Sequence, residues 1–233
     1  LLLPANTNGK KTRVVSYDLS SAINIPRLSP VNGNGYFTNY EAQNIERAYI
    51  IVHHPTLLEG AQAYKSYRQS MQGGSYNVIL ADIEDLYFQY GGGVRNHISA
   101  IRNFSKSIYE NSQEKPVSLL LLGKGMSNDR SRSNPSHAAE NLVPTFGYPS
   151  SDLLITSNLP GTNKWTPLIP TGRLSVNTNT GVLNYINKLE AYENNQDFSD
   201  VYDSSNKDWQ KHVIHLVGGS DLNQQQQFNV QMN

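Results

Sequence analysis

The sequence predicts an α/β fold, a parallel sheet flanked by helices with a short β insertion and an N-terminal β arm. Three observations predict it. Apolar runs of strand length recur at Ala48–Val52, Asn77–Ala81 and Val117–Leu122, and the segments between them carry helical periodicity. The third run, VSLLLL, is apolar at consecutive positions, as in a strand covered on both faces. Strand, helix, strand, helix, strand in that order implies a right-handed parallel core.

Residues 1–45 alternate short β-like pieces, such as Thr12–Tyr17, with Asn, Gly, Pro and Ser. They read as an arm or the tail of a preceding β domain, leaving 46–233 as the main domain. After the first strand, Leu57–Gln72 places Leu58, Ala61, Tyr64 (or Lys65) and Arg68 on helical spacing and ends at Gly73-Gly74. Ile83–Tyr90 is a short helix or turn, and Gly91-Gly92-Gly93 a hinge. Val94, Ile98, Ile101, Phe104 and Ile108 then mark one face of a helix, with His97, Arg102 and Lys106 toward solvent.

Residues 126–169 are irregular and carry strand candidates at Leu142-Val143 and Leu153–Thr156. Pro170-Thr171-Gly172-Arg173-Leu174 precedes a helix at Thr180–Tyr192, with Val182, Leu183, Ile186 and Leu189 on one face. A last strand is expected at Val213–Val217 and a helix from Gln224 to Met232. Without an initiating Met, the chain reads as a segment of a longer protein, cut after a strand and part of the next helix.

Charge excludes several classes of partner. Lys plus Arg (19) balances Asp plus Glu (19), so no field draws the chain to nucleic acid. Charged residues make up only 16%, and Asn, Ser and Tyr are abundant, a neutral hydrogen-bonding surface that suits an extracytoplasmic protein. With no cysteine, the chain has no disulfide, thiolate metal site or thiol nucleophile of its own. It has no run long and apolar enough to be a transmembrane segment.

Candidate chemistry clusters after the strands. Gly123-Lys124-Gly125 invites a nucleotide, but a phosphate loop needs Ser or Thr after its Lys, so a tight turn is the preferred reading. His53-His54 ends the first strand; adjacent residues face opposite sides, so one imidazole is expected under a helix, with an acid–base role as the alternative. Asp82, Glu84 and Asp85 offer a hard-cation site or, more commonly, helix capping. Ser136, His137 and Asp152 lack the nucleophile-elbow pattern of a hydrolase triad. Gln224–Gln227 is a polar helix face.

Taken in order, AYIIVHHP, YKSYRQSMQGGSYNVILADIEDLYFQYGGG, VRNHISAIRNFSKSIYE, LLLLGKG, NLVPTFGYPSSD, PTGRLSV with a helix ending KLEAYE, and KDWQKHVIHLVGGSD resemble one family. From about Asn44 to Asp221 the chain is similar to the first part of the catalytic domain of gingipain-like cysteine peptidases. The likeness is greatest to the sortase-type members of the type IX secretion system of Bacteroidetes. The resemblance implies a caspase-like (flavodoxin-like) fold with its site at the carboxyl edge of the sheet. There a thiolate attacks the peptide carbonyl, a His shuttles protons, and backbone amides hold the oxyanion.

In the family that His lies in a Gly-His-Gly turn and the Cys on the next strand, both downstream of a segment like KDWQKHVIHLVGGSD. This chain has no Gly-flanked His and no Cys, so no catalytic residue is assigned in it and it is expected to be inert alone. The family's Gly-Asp-Gly loop is Gly123-Lys124-Gly125 here, and Val217 stands where arginine-specific members carry a glutamate. Asp221 is the nearest candidate for the substrate-pocket carboxylate, with an N-cap as its other reading. The resemblance implies protein or peptide substrates, other secretion-system proteins as partners and a secreted or outer-membrane surface location; no metal site and no cofactor are assigned. A non-enzymatic binding module of the same fold is the alternative, motivated by Lys124 and Val217.

Overall fold

The structure, a computed structural model, describes residues 18, 20, 28, 30–159, 165–195, 208, 212–214 and 218–232. The chain divides into two compact units, Leu1–Thr38 and Asn39–Asn233. In the first, the Asn32 side-chain amide fastens a 3-10 turn at Val31–Gly33 by donating to the Tyr36 carbonyl at 3.1 Å. The expected strand at Thr12–Tyr17 lies outside the described residues.

The second unit is organised by four parallel strands, β1 (Tyr49–His53), β2 (Val78–Asp82), β3 (Ser118–Leu122) and β4 (Thr171–Leu174), in the order β2-β1-β3-β4. The helices among the described residues are α1 (Leu58–Gln69), α2 (Ile83–Gln89), α3 (Ser99–Asn111), α4 (Asn128–Ser133), α5 (Pro135–Ala139), α6 (Leu153–Thr156), α7 (Asn179–Asn194) and α8 (Leu222–Met232).

Strand pleating divides the apolar runs between two cores. Ile50 and Val52 of β1 and Leu119 and Leu121 of β3 join Ile83, Leu86, Ile101, Phe104, Ile108 and Ile155 on one face. Ile51, Leu120 and Leu122 meet Leu57, Ala61, Tyr64, Val182 and Ile186 on the other. The consecutive leucines of β3 are therefore explained by cover on both sides, α2, α3 and α6 on one and α1 and α7 on the other. Tyr40 packs edge-on against Phe104 at 4.8 Å between centroids, so residues just before β1 belong to this core.

Several expectations shift. Helix α3 starts at Ser99, because Gly92 (φ +62°), Gly93 (φ +80°) and Asn96 (φ +56°) keep the chain turning; Val94 is left 56% exposed. On α1 the buried face runs through Gly60, Ala61, Tyr64 and Tyr67, leaving Leu58 exposed, and on α7 Leu183 is exposed. Arg102, expected toward solvent, turns its guanidinium to the carbonyls at the end of α6: Leu154, Ser157 (2.7 Å) and Asn158 (3.0 Å). Leu153–Thr156 is helix α6, whereas a strand was expected; the β content of the insertion is the isolated bridges Phe146–Ser151 and Ser157–Pro167.

β4 was not expected as a strand at all, and Arg173 in it pairs with Leu121 of β3. Val213 and Ile214 are exposed and carry no strand; the rest of that expected strand lies outside the described residues. Among the described residues no helix is long and apolar enough to cross a membrane.

Phe104 is fully buried, with Tyr40 at 4.8 Å and Tyr90 at 5.3 Å. Phe104→Ala is expected to cost about 3–5 kcal/mol, and Phe104→Leu much less because it refills most of the space. Urea denaturation of the two variants measures the difference.

Candidate functional site

Parallel pairing sets the carboxyl ends of all four strands, His53, Asp82, Leu122 and Leu174, along one edge of the sheet. Loops leaving that edge are where open α/β sheets hold ligands. Here the long connection that follows β3 is fastened by a single side chain.

Arg173 reaches up from β4 with its side chain only 13% exposed. Its Nε and Nη2 each donate to the Asp152 carboxylate at 2.8 Å. Its Nη1 donates to the carbonyls of Gly123 and Val143, both at 2.8 Å, and Nη2 to that of Pro144 at 3.1 Å. A guanidinium has five N–H donors, and each finds an acceptor. The loop after β3 and the segment 143–152 are thereby fixed to the same strand.

The Gly-Lys-Gly loop is shaped by this approach. A Cβ at Gly125 would lie 3.0 Å from Arg173 Nη1 and 3.1 Å from the Val143 oxygen, so the second glycine makes room for the guanidinium. Two of the loop's amides are already bonded: Gly123 N–H to the Leu174 carbonyl (3.0 Å) and Lys124 N–H to that of Val176 (2.9 Å). Lys124 Nζ donates to the Glu140 carboxylate, and this bond, with its charge, holds Glu140 below the usual carboxylate range. With two of its amides and its ammonium engaged, the loop favours the tight-turn reading over a phosphate cradle.

The two histidines at the end of β1 take opposite tautomers. His53 is buried, and its Nδ1 lies 3.0 Å from the His54 carbonyl, which can only accept, so this nitrogen carries a proton. His54 Nδ1 accepts the Thr56 N–H at 3.3 Å and lies 2.8 Å from the Thr56 hydroxyl, so it is bare. His54 thereby caps the 3-10 turn Pro55–Leu57 that leads into α1.

Asp82 caps α2, its carboxylate accepting the Glu84 N–H at 2.9 Å. Burial pushes its pKa up, against that hydrogen bond and the charge of His53. Glu84 pairs with Arg95 at 3.2 Å. Among the described residues no group of three His, Asp or Glu side chains is arranged to hold a metal ion.

Ser136, His137 and Asp152 are not brought together as a triad. The Ser136 hydroxyl donates to Asn134 at 2.8 Å, and both oxygens of Asp152 are occupied by Arg173. Asp221 lies at the start of α8, exposed, and accepts the Gln224 N–H at 3.0 Å. Gln224–Gln227 lie on α8 with their side chains exposed, and Val217 lies outside the described residues.

Sequence reasoning missed Arg173 and Arg102. The available signal for Arg173 was a cation between Gly172 and Leu174 in a segment too apolar-poor to read as a strand.

Arg173→Ala, which leaves Asp152 and three carbonyls without their donor, is expected to cost about 3 kcal/mol. Arg173→Lys should restore less than half of that, since an ammonium cannot span five acceptors in a plane. Equilibrium denaturation at constant m-value measures both.

Residues 42–233 match the sequence model of Peptidase family C25. No curated protein and no solved structure matches the chain.

Proposed function

The chain belongs to peptidase family C25, the gingipain family, and on that premise we propose that it forms the first part of a cysteine endopeptidase's catalytic domain. The observation that carries this reading is the family match across 42–233. The gathering of the β3 loop and the 143–152 segment at the carboxyl edge supports it. In this reading the chain contributes scaffold and rim, and the thiolate and its histidine come from sequence that follows. On that proposal the 233-residue chain, which has no Cys, is inert alone.

The substrate is a protein or peptide. The resemblance to sortase-type members extends the proposal to processing of cargo in type IX secretion, at the outer-membrane surface or outside the cell, with other secretion-system proteins as partners. A thiol-reactive peptide probe should label the chain extended through a Gly-His-Gly turn and its Cys, and leave the 233-residue chain unlabelled. A gene that continues past Asn233 without either motif would remove the peptidase reading.

Asp221 is proposed to receive a basic substrate side chain. In the extended enzyme, Asp221→Asn keeps an N-cap acceptor while removing the charge. It is expected to raise KM for substrates with Arg or Lys before the cleaved bond about tenfold, with little change for neutral ones. Steady-state kinetics on matched peptides measures the ratio.

One observation favours the second reading, a non-enzymatic binding module. The rim position that family members fill with an aspartate is held by Lys124, and its ammonium is tied to Glu140.

A further inference from the structure

We propose that His54 is an acid-sensitive latch: a bare imidazole nitrogen caps the turn beneath the rim, and protonating that nitrogen releases the turn. The latch is a property of the fold and stands apart from the peptidase reading.

Thr56 is gripped from two sides. Its N–H and hydroxyl meet His54 Nδ1 at 3.3 and 2.8 Å. Its carbonyl accepts from Asn179 Nδ2 at 3.2 Å, while Asn179 Oδ1 takes the Gly60 N–H at 3.0 Å, joining the start of α7 to the start of α1. Asn179 does not titrate, so only the His54 side of the grip responds to pH. An imidazolium carries hydrogen on both nitrogens and cannot accept. Protonation of Nδ1 therefore turns the bond from the Thr56 N–H into a contact between two donors. The hydroxyl can rotate to accept; the backbone amide cannot.

The turn bears on the rim. Leu57 is fully buried in the core that holds Leu122 and Leu142, and its Cδ1 lies 3.6 Å from where a Cβ at Gly123 would stand. Loosening Pro55–Leu57 frees the side of the Gly123 loop that Arg173 does not hold.

The charged and titratable groups facing His54 are Glu84 and Asp82, which favour its protonation, and His53, which opposes it. Burial outweighs the two carboxylates and lowers the His54 pKa from 6.5. The sign follows: unfolded chain takes up the proton first, so the cap's contribution is complete above about 6.5 and is lost as pH falls through the lowered folded-state value. The same arrangement recurs where α3 begins, His97 Nδ1 accepting the Ser99 N–H at 3.2 Å and lying 2.7 Å from its hydroxyl.

The test uses the whole chain and His54→Asn, whose side-chain oxygen is a helix-cap acceptor that does not titrate here. Thermal midpoints are compared between pH 7.5 and 5. The fall in the native chain should exceed that in His54→Asn, and the excess should follow the His54 imidazole titration seen by NMR. In the native chain, Thr56 amide exchange, corrected for its intrinsic pH dependence, should speed up about fivefold across the same titration. Parallel falls in the two chains, or Thr56 protection unchanged while His54 titrates, would overturn the proposal. Should His54→Asn fail to fold, the exchange measurement decides alone.

Discussion

The guanidinium of Arg173 is the contact on which the candidate site depends. It is nearly buried, and a buried cation is tolerable only when every donor finds an acceptor. Those acceptors are what the site is made of: the Gly123 carbonyl just after β3, the carbonyls of Val143 and Pro144, and the Asp152 carboxylate. Moving either loop would strand a charge, so the rim holds its shape without regular secondary structure. Gly125 and Asp152 follow from the same constraint, one making space for the cation and the other neutralising it.

A second arginine plays a comparable part near the opposite edge of the sheet. Arg68 lies 5.4–5.5 Å from the ring centres of Tyr49, Tyr64 and Tyr67 and pairs with Glu193 at 2.9 Å. This fixes the end of α1 to the end of α7, while Asn179 fastens the two helices near their starts. The face holding α1 and α7 is thus tied at both ends by polar contacts around an apolar middle. A guanidinium over aromatic faces keeps favourable electrostatics where a bare ammonium would be poorly solvated.

The site as a whole divides labour between rigid and titratable parts. The side of the rim that Arg173 holds is fastened by five hydrogen bonds from one guanidinium. The first turn after β1 rests on an imidazole instead. A catalytic domain assembled on this edge would have one wall fixed by a fully bonded guanidinium and another set by the protonation of a single ring.

Much of the fold was legible in the sequence because short-range patterns encode it. Consecutive apolar residues at Leu119–Leu122 required cover on both faces, and the spacing of Ile101, Phe104 and Ile108 required a helix. The order of these elements implied parallel pairing. Of the site, the strand-end position of the histidines and the Asp82 cap could be read locally, since each depends on neighbours within a few residues; the Gly-Lys-Gly segment could be read as a turn, but not its bonds to Leu174 and Val176.

Other features were decided only by the tertiary structure. β4 has four residues, TGRL, without an apolar run, and becomes a strand because β3 offers it an edge to pair with. Leu153–Thr156 has the composition of a strand and folds as a helix, its end carbonyls satisfied by Arg102 from 52 residues away. Which of two adjacent histidines is buried, and which nitrogen of each is bare, depends on α1 and the Thr56 turn. Sequence patterns report periodicity and local hydrogen bonding; the partners of a long charged side chain are set by distant segments that only the folded chain brings within reach.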